Sequence, residues 1–294
     1  MVTMHGPEGH YTFSDGLGVR TVASDPRHGV VEVLNVAPIL ANHPAGERAI
    51  RASATRYEDI ARAPVMRVHA IDRDDAALRV TTAWPHGVRL SDILTELTAS
   101  TFPLCDAGIL ELAYAVVRAV SALHQAPGGV SHGAISPAHV IIGADGNATL
   151  TDGIFGAAIE ALEANREAVW RQFGIAMPPS ANVPRFDRRS DVSQLGAVVL
   201  AIALRSSLTP EAYPREIPDL VLLATPDSAH HGSALRMWLR QALHLHPRSA
   251  FASGVDAQAA FAALMPAPGI RRTGREALQA VLARAASFST VHTS

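Results

Sequence analysis

Apolar and polar positions alternate with period two over residues 19–23 and 30–36, on either side of the turn-forming stretch DPRHG at 25–29. That is the pattern of paired, half-buried strands. Residues 46–63 change to three- and four-residue spacing and stop at Pro64, which predicts a helix. Two more strands are predicted at 65–71 and 77–83, joined by an acidic turn. Beyond Pro85 and Gly87 helical spacing takes over. A short helix is expected at 90–97 and a long one at 105–125, with Ile109, Leu112, Val116, Val120 and Leu123 on one face. A hairpin, 138–142 with 147–151, turns at Asp145-Gly146. Helices then follow at 159–173, at 192–204 with Asp191 as N-cap, at 234–245 and at 255–265. After the break PAPG an amphipathic helix is expected at 275–288, with a mobile Ser/Thr-rich end. The pattern predicts an α+β chain: a β-rich unit at 1–84, a helical unit at 85–265, and a C-terminal helix and flexible tail at 266–294.

Composition changes this picture in a few places. With 48% hydrophobic and 18% charged residues, the 294-residue chain can bury a sizeable core. The formal charge of −2 gives no electrostatic support for nucleic-acid binding. Cys105 is the single cysteine, so no internal disulfide forms, and the first residues lack the basic and apolar regions of a signal peptide. An intracellular, cytoplasmic setting is expected. The longest strongly apolar run, 195–204, is about half of a bilayer span, so no membrane span is expected. His230-His231 and His244-x-His246 lack zinc-site spacing, and no metal site is expected. All 25 basic residues counted as Lys plus Arg are Arg.

The segment HGAISPAHVIIGADGNATLTD at 132–152 is the most informative. It resembles a protein-kinase catalytic loop, H-R-D-L-K-P-x-N, followed after a strand–turn–strand by D-F-G. His132, Pro137 and Asp152 fall in the His, Pro and metal-binding Asp places. Thirteen positions separate His139, in the Asn place, from Asp152, as in the common short-hairpin form of the family. Three further segments resemble the family in the right order: WPHGVRLSDIL at 84–94 the hinge and first large-lobe helix, RRSDVSQLG at 188–196 the start of the central helix, and ALHLHPRSAFAS at 242–253 a segment near the domain's end. The resemblance covers roughly 11–265 and implies a kinase-like bilobal fold. It implies that Asp191 accepts hydrogen bonds from the catalytic-loop backbone, and that His132, Pro137, Asp191 and Gly196 are structural.

The same alignment removes the chemistry. Phosphoryl transfer needs phosphate contacts, metal ligands and a base to orient the hydroxyl. Ala134 stands in the place of the base, Ser136 in that of the loop lysine, and His139 in that of the Asn; magnesium prefers oxygen to imidazole. VVEV at 30–33 resembles the third-strand V-A-I-K, with Glu32 in the lysine place. One charge pair at roughly 4 Å is worth about 4 kcal/mol at an effective dielectric near 20, so reversing its sign works against a nucleotide. Glu32 is expected to face water or to pair with a helix Arg such as Arg51. Gly16, Gly18, Thr82 and Asp152 remain as vestigial nucleotide-site positions, and Gly16-Leu17-Gly18 reads more simply as a strand turn. A packed helix at 159–173, with an i,i+4 pair of Glu167 and Arg171, is expected to cover the substrate groove.

These readings imply a pseudokinase without cofactor that acts as a signalling scaffold or regulatory module. The expected partner is another protein, such as a bacterial Ser/Thr kinase or a phospho-binding domain, with Thr273 after Arg271-Arg272 a candidate phosphorylation position. The alternatives are a divergent Ser/Thr kinase using ATP and Mg, and a nucleotide sensor without turnover.

Overall fold

The computed structural model describes residues 12–60, 63–74, 77–100, 104–179, 183–226 and 232–291. His230, His231 and the last three residues lie outside them.

An N-terminal lobe is built on a five-stranded antiparallel sheet. It comprises β1 (Thr12–Asp15), β2 (Gly18–Asp25), β3 (Gly29–Val36), β4 (Val68–Arg73) and β5 (Leu78–Ala83), in the order β1-β2-β3-β5-β4. Two helices, α1 (Pro38–Ala41) and α2 (Gly46–Glu58), lie between β3 and β4. Period-two patterning found β2 to β5; β1, only four residues long, and α1 gave no such signal.

A helical lobe follows the short strand β6 (Val88–Arg89), which joins β7 (Val140–Ile142) and β8 (Ala148–Leu150) in a second sheet. Its first helices are α3 (Leu90–Ala99) and α4 (Asp106–Gln125). The latter is long and apolar enough, by length and composition alone, to cross a membrane although Glu111, Arg118 and His124 interrupt it; 78% of its apolar window is buried inside the fold. Where one helix was expected at 159–173 there are two, α5 (Gly156–Glu160) and α6 (Arg166–Phe173). Glu163 takes a left-handed φ of 51° between them, and Asn165 restarts the helix by accepting from the Ala168 amide at 2.9 Å. The remaining helices are α7 (Arg188–Leu204), α8 (Ile217–Ala224), α9 (Gly232–Ala242), α10 (Gly254–Ala262) and α11 (Pro268–Val291).

Two expectations are corrected by the ends of helices. The break PAPG does not precede a loop: Pro268 is the first residue of α11, where its missing N–H costs nothing. The helix runs on to Val291 where a mobile end was expected. It packs along α4 and α3 through Leu278, Val281 and Leu282, and Arg271 reaches Glu111 at 2.6 Å. Thr273 is exposed on it.

Asp187, not Asp191, is the N-cap of α7, accepting from the Arg189 amide at 2.9 Å and the Ser190 amide at 3.0 Å. Asp191 lies inside the first turn, fully buried, and is free to hold the catalytic loop. It accepts from the His132 and Gly133 amides, each at 2.7 Å, and from His124 Nε2 at 2.9 Å. Removing it strands two buried amides, each costing about 1–3 kcal/mol. Urea unfolding is expected to show a loss of about 1 kcal/mol for Asp187→Ala and roughly 3 kcal/mol or more for Asp191→Ala.

Candidate functional site between the lobes

The sheet register aims three polar side chains at the space between the lobes. Arg20 lies opposite Leu34 and Glu32 opposite Thr82, and Leu34 and Glu32 are two apart on β3. Residues facing each other across strands, and residues two apart, share one side of a sheet. Arg20, Glu32 and Thr82 therefore project from the same face, toward the catalytic loop.

There they meet a cluster of charges. The Arg20 side chain is completely buried; its Nη1 donates to Asp15 Oδ2 at 2.7 Å and its Nη2 lies 3.0 Å from Asp152 Oδ1. Its Nε stands 3.3 Å from Glu32 Oε1. The last two contacts are close in distance but off the line of a good hydrogen bond. Arg89 pairs with the other Glu32 oxygen and donates to the Ala138 carbonyl at 2.8 Å. The Phe13 ring lies 4.7 Å from the Arg89 guanidinium carbon and 5.5 Å from that of Arg20.

The expectation for Glu32 is thus corrected. It neither faces water nor meets Arg51, which binds Glu47 and the Ile71 carbonyl instead. The reason is register: Arg51 sits on the solvent side of α2, whereas Glu32 turns inward to two arginines from β2 and β6. A cleft emptied of charge is also not what forms. A guanidinium from the neighbouring strand β2 reaches Asp152 and Glu32.

His139 completes the cluster. Its Nδ1 lies 2.7 Å from the Ala134 carbonyl and its Nε2 3.0 Å from Asp15 Oδ2. Ser136 Oγ is 3.1 Å from the same Nδ1, so Ser136, His139 and Asp15 align in the order of a hydrolytic triad. The carbonyl can only accept, so Nδ1 carries a proton toward Ala134 and is unable to take one from Ser136. His139 stands in the ligand place but both ring nitrogens are engaged, and Ala134, fully buried, offers no base. Among the described residues no group of three or more His, Cys, Asp or Glu side chains is arranged to hold a metal.

Burial by itself would raise the carboxyl groups here. For Asp15 it is outweighed by the Arg20 guanidinium, His139 and the Leu17 amide, which hold the group well below the usual carboxylate range. For Asp152 it is outweighed chiefly by Arg20 and then His139, and this carboxyl is lowered too. Asp152 has a left-handed φ of 68° and accepts from Thr151 Oγ1 at 2.6 Å.

The vestigial nucleotide positions also become concrete. Gly16-Leu17 is the turn joining β1 to β2. Gly16 presses on the end of α6, where an added Cβ would lie 1.9 Å from the Gln172 carbonyl oxygen. Gly18, at φ 144°, leaves room for the Asn35 carbonyl. Thr82 lines a void of about 10 Å³ beside Tyr57 and Asp152. In the helical lobe, Pro137 opens a turn of 3-10 helix before β7, and Gly196 packs against Ala242 and Leu243. The helix expected to lie over the groove is present as α6, with a cavity beneath it. The α6 helix packs through Val169, Trp170 and Phe173 without the Glu167–Arg171 pair, and a cavity of about 290 Å³ remains between Trp170, Phe173, Ser136, Ile135 and Leu208. Sequence reasoning missed Arg20, Arg89 and Asp15; the signal for Arg20 was a charged residue between Val19 and Val22 within a predicted strand.

No protein-family model matches the chain, and no curated protein matches it. Among solved structures it is similar to crystal structures of the kinase domain of Mycobacterium tuberculosis PknI. One superposes with a TM-score of 0.60 at 20% identity over 90% of this chain and 98% of that chain. A second gives 0.58 at 18% identity over 90% and 97%, and a double mutant gives 0.62 at 19% identity over 88% and 96%. The chain has a protein-kinase-like fold, with a β-sheet N-lobe and a helical C-lobe.

His132 gives the site a pH dependence. Burial pushes its imidazole from 6.5 down to about 4, against the pull of Asp191. The unfolded chain therefore binds a proton that the folded chain refuses between those values. His132 contributes nothing unfavourable above pH 6.5, and stability falls as pH drops from 6.5 toward 4, by roughly 3 kcal/mol in all. His244, also lowered to about 4 by burial, acts in the same window. The lowered Asp15 and Asp152 lose their contribution only at still lower pH. Urea unfolding at a series of pH values is expected to show a shallower slope between pH 6.5 and 4 for His132→Gln than for the native chain.

Proposed function

We propose that the chain is a catalytically inactive kinase-like domain, a pseudokinase that works as a regulatory or scaffolding module by engaging another protein. The observation that carries this reading is the occupied cleft. Where a kinase holds phosphates and metal, Arg20, Asp15, Asp152, Glu32 and Arg89 stand in ion-pair contact. A triphosphate would have to break these pairs and bury uncompensated charge, at a cost of several kcal/mol per pair. The loss of the base at Ala134 and the double engagement of His139 act in the same direction.

Binding to a protein is supported by surface chemistry. Leu222 and Leu223 on α8 and Met237 on the adjoining α9 are 51%, 71% and 57% exposed, and large apolar side chains outside water-shielded positions favour contact with a partner. A phospho-binding domain or a bacterial Ser/Thr kinase fits the exposed Thr273 beside Arg271 and Arg272. The cytoplasm is the compartment where such a partner is met.

Calorimetric titration with ATP and magnesium or manganese is expected to show no binding heat, and a radiolabelled ATP assay no transfer to protein or peptide. Transfer that disappears in Asp152→Asn would overturn the reading in favour of a divergent kinase. Binding without transfer would make the domain a nucleotide sensor.

A further inference from the structure

The Asp15 carboxylate is held as a bound anion would be. The Leu17 amide, from the β1–β2 turn, donates to Oδ1 at 2.8 Å. Oδ2 takes a hydrogen bond from Arg20 Nη1 at 2.7 Å and faces His139 Nε2 at 3.0 Å. A turn amide and a guanidinium are donors of the kind that proteins assemble around a phosphate or carboxylate ligand, and the imidazole closes the same side of the group. Here the anion belongs to the protein.

Its position gives it a mechanical consequence. Asp15 ends β1 in the N-lobe, and His139 belongs to the catalytic loop, so this contact spans the lobes. The next residue, Gly16, rests on the carbonyl of Gln172 near the end of α6 with no room for a methyl group. The turn is therefore tied at one point by charge and at the next by close packing. Asp15 and Gly16 also border the 290 Å³ cavity beneath α6.

We propose that Asp15 is a built-in anionic occupant of the cleft that latches the β1–β2 turn onto the catalytic loop and α6, in the role a bound anionic ligand would otherwise have. The latch follows from the donor set and not from the absence of catalysis, so it extends beyond the functional reading above. Without the carboxylate, Arg20, Arg89 and His139 face Glu32 and Asp152 with a vacated anion position between them. Asp15→Ala would convert the closed cleft into a site for a small anion.

The test uses the full chain, with formate and inorganic phosphate as probes and chloride at equal ionic strength as the control. Asp15→Ala is expected to melt below the native protein and to exchange amide hydrogens faster in residues 12–20 and in α6. Formate or phosphate is expected to raise the melting temperature of Asp15→Ala by about 2 °C or more and to restore slow exchange. Neither anion should move the native protein, whose site is filled. Equal shifts in both proteins, or native exchange in α6 of Asp15→Ala, would overturn the latch. Gly16→Ala, which keeps every charge and displaces the turn, decides the matter if Asp15→Ala does not fold. It should speed exchange in the turn and α6 together, and unchanged exchange would count against the proposal. Nucleotide binding by the native protein refutes inactivity by self-occupation, whereas the latch stands or falls on the difference between variant and native protein.

Discussion

Arg20 is a full positive charge with no access to water, and everything between the lobes is arranged around it. Burying an isolated guanidinium is prohibitive, so its neighbours must supply negative charge at contact distance. They come from separate parts of the chain: Asp15 from the strand before it, Glu32 from the strand after it, and Asp152 from the segment behind the catalytic loop. Glu32 has a second cationic partner in Arg89, and Asp15 Oδ2 lies 3.0 Å from His139 Nε2. Because Arg20 meets three carboxylates, and two of these have a second partner in Arg89 or His139, the cluster ties the sheet to β6 and to the 132–139 loop.

The cleft retains an electrostatic logic with its parts exchanged. The lysine place on β3 carries an acid, but a cation reaches Asp152 from β2. The acid on β3 then balances that cation and recruits Arg89. Each substitution alone would leave a buried charge unpaired. Together they pair the charges in this space and tie it to the two contacts of the β1–β2 turn, Asp15 with His139 and Gly16 with Gln172. Behind this front, Asp191 holds the catalytic loop through backbone amides, which depends on the loop's shape and not on its side chains. Ala134, Ser136 and His139 take no part in the two amide bonds to Asp191.

Much of the fold was legible because it rests on periodicity and on spacing between motifs. Strands β2 to β5, helices α2 to α4 and the β7–β8 hairpin all follow from patterns of two or of three and four. The failures have local causes. The cap of α7 was misplaced because Asp187 and Asp191 are both good caps, and only the fold turns the second inward. Helix 159–173 divides because Asn165 caps more strongly than the apolar stripe holds the helix together. The candidate site was legible only by position. That Ala134 and Glu32 occupy chemical places could be read from motif spacing; that Glu32 points at Arg20 depends on strand register, and that His139 meets Asp15 depends on a contact 124 residues apart in the chain. Long-range pairing of charges leaves no mark on a single sequence beyond a charged residue within a predicted strand.

The most direct measurement is a double-mutant cycle for stability between Arg20→Met and Asp152→Asn. If the buried charges sustain one another, each single change costs about 3 kcal/mol or more, and the double variant recovers a large part of that loss, with a coupling of roughly 2 kcal/mol. Losses that simply add would mean that Arg20 and Asp152 do not depend on each other, and would contradict the account of a cleft filled by its own charges.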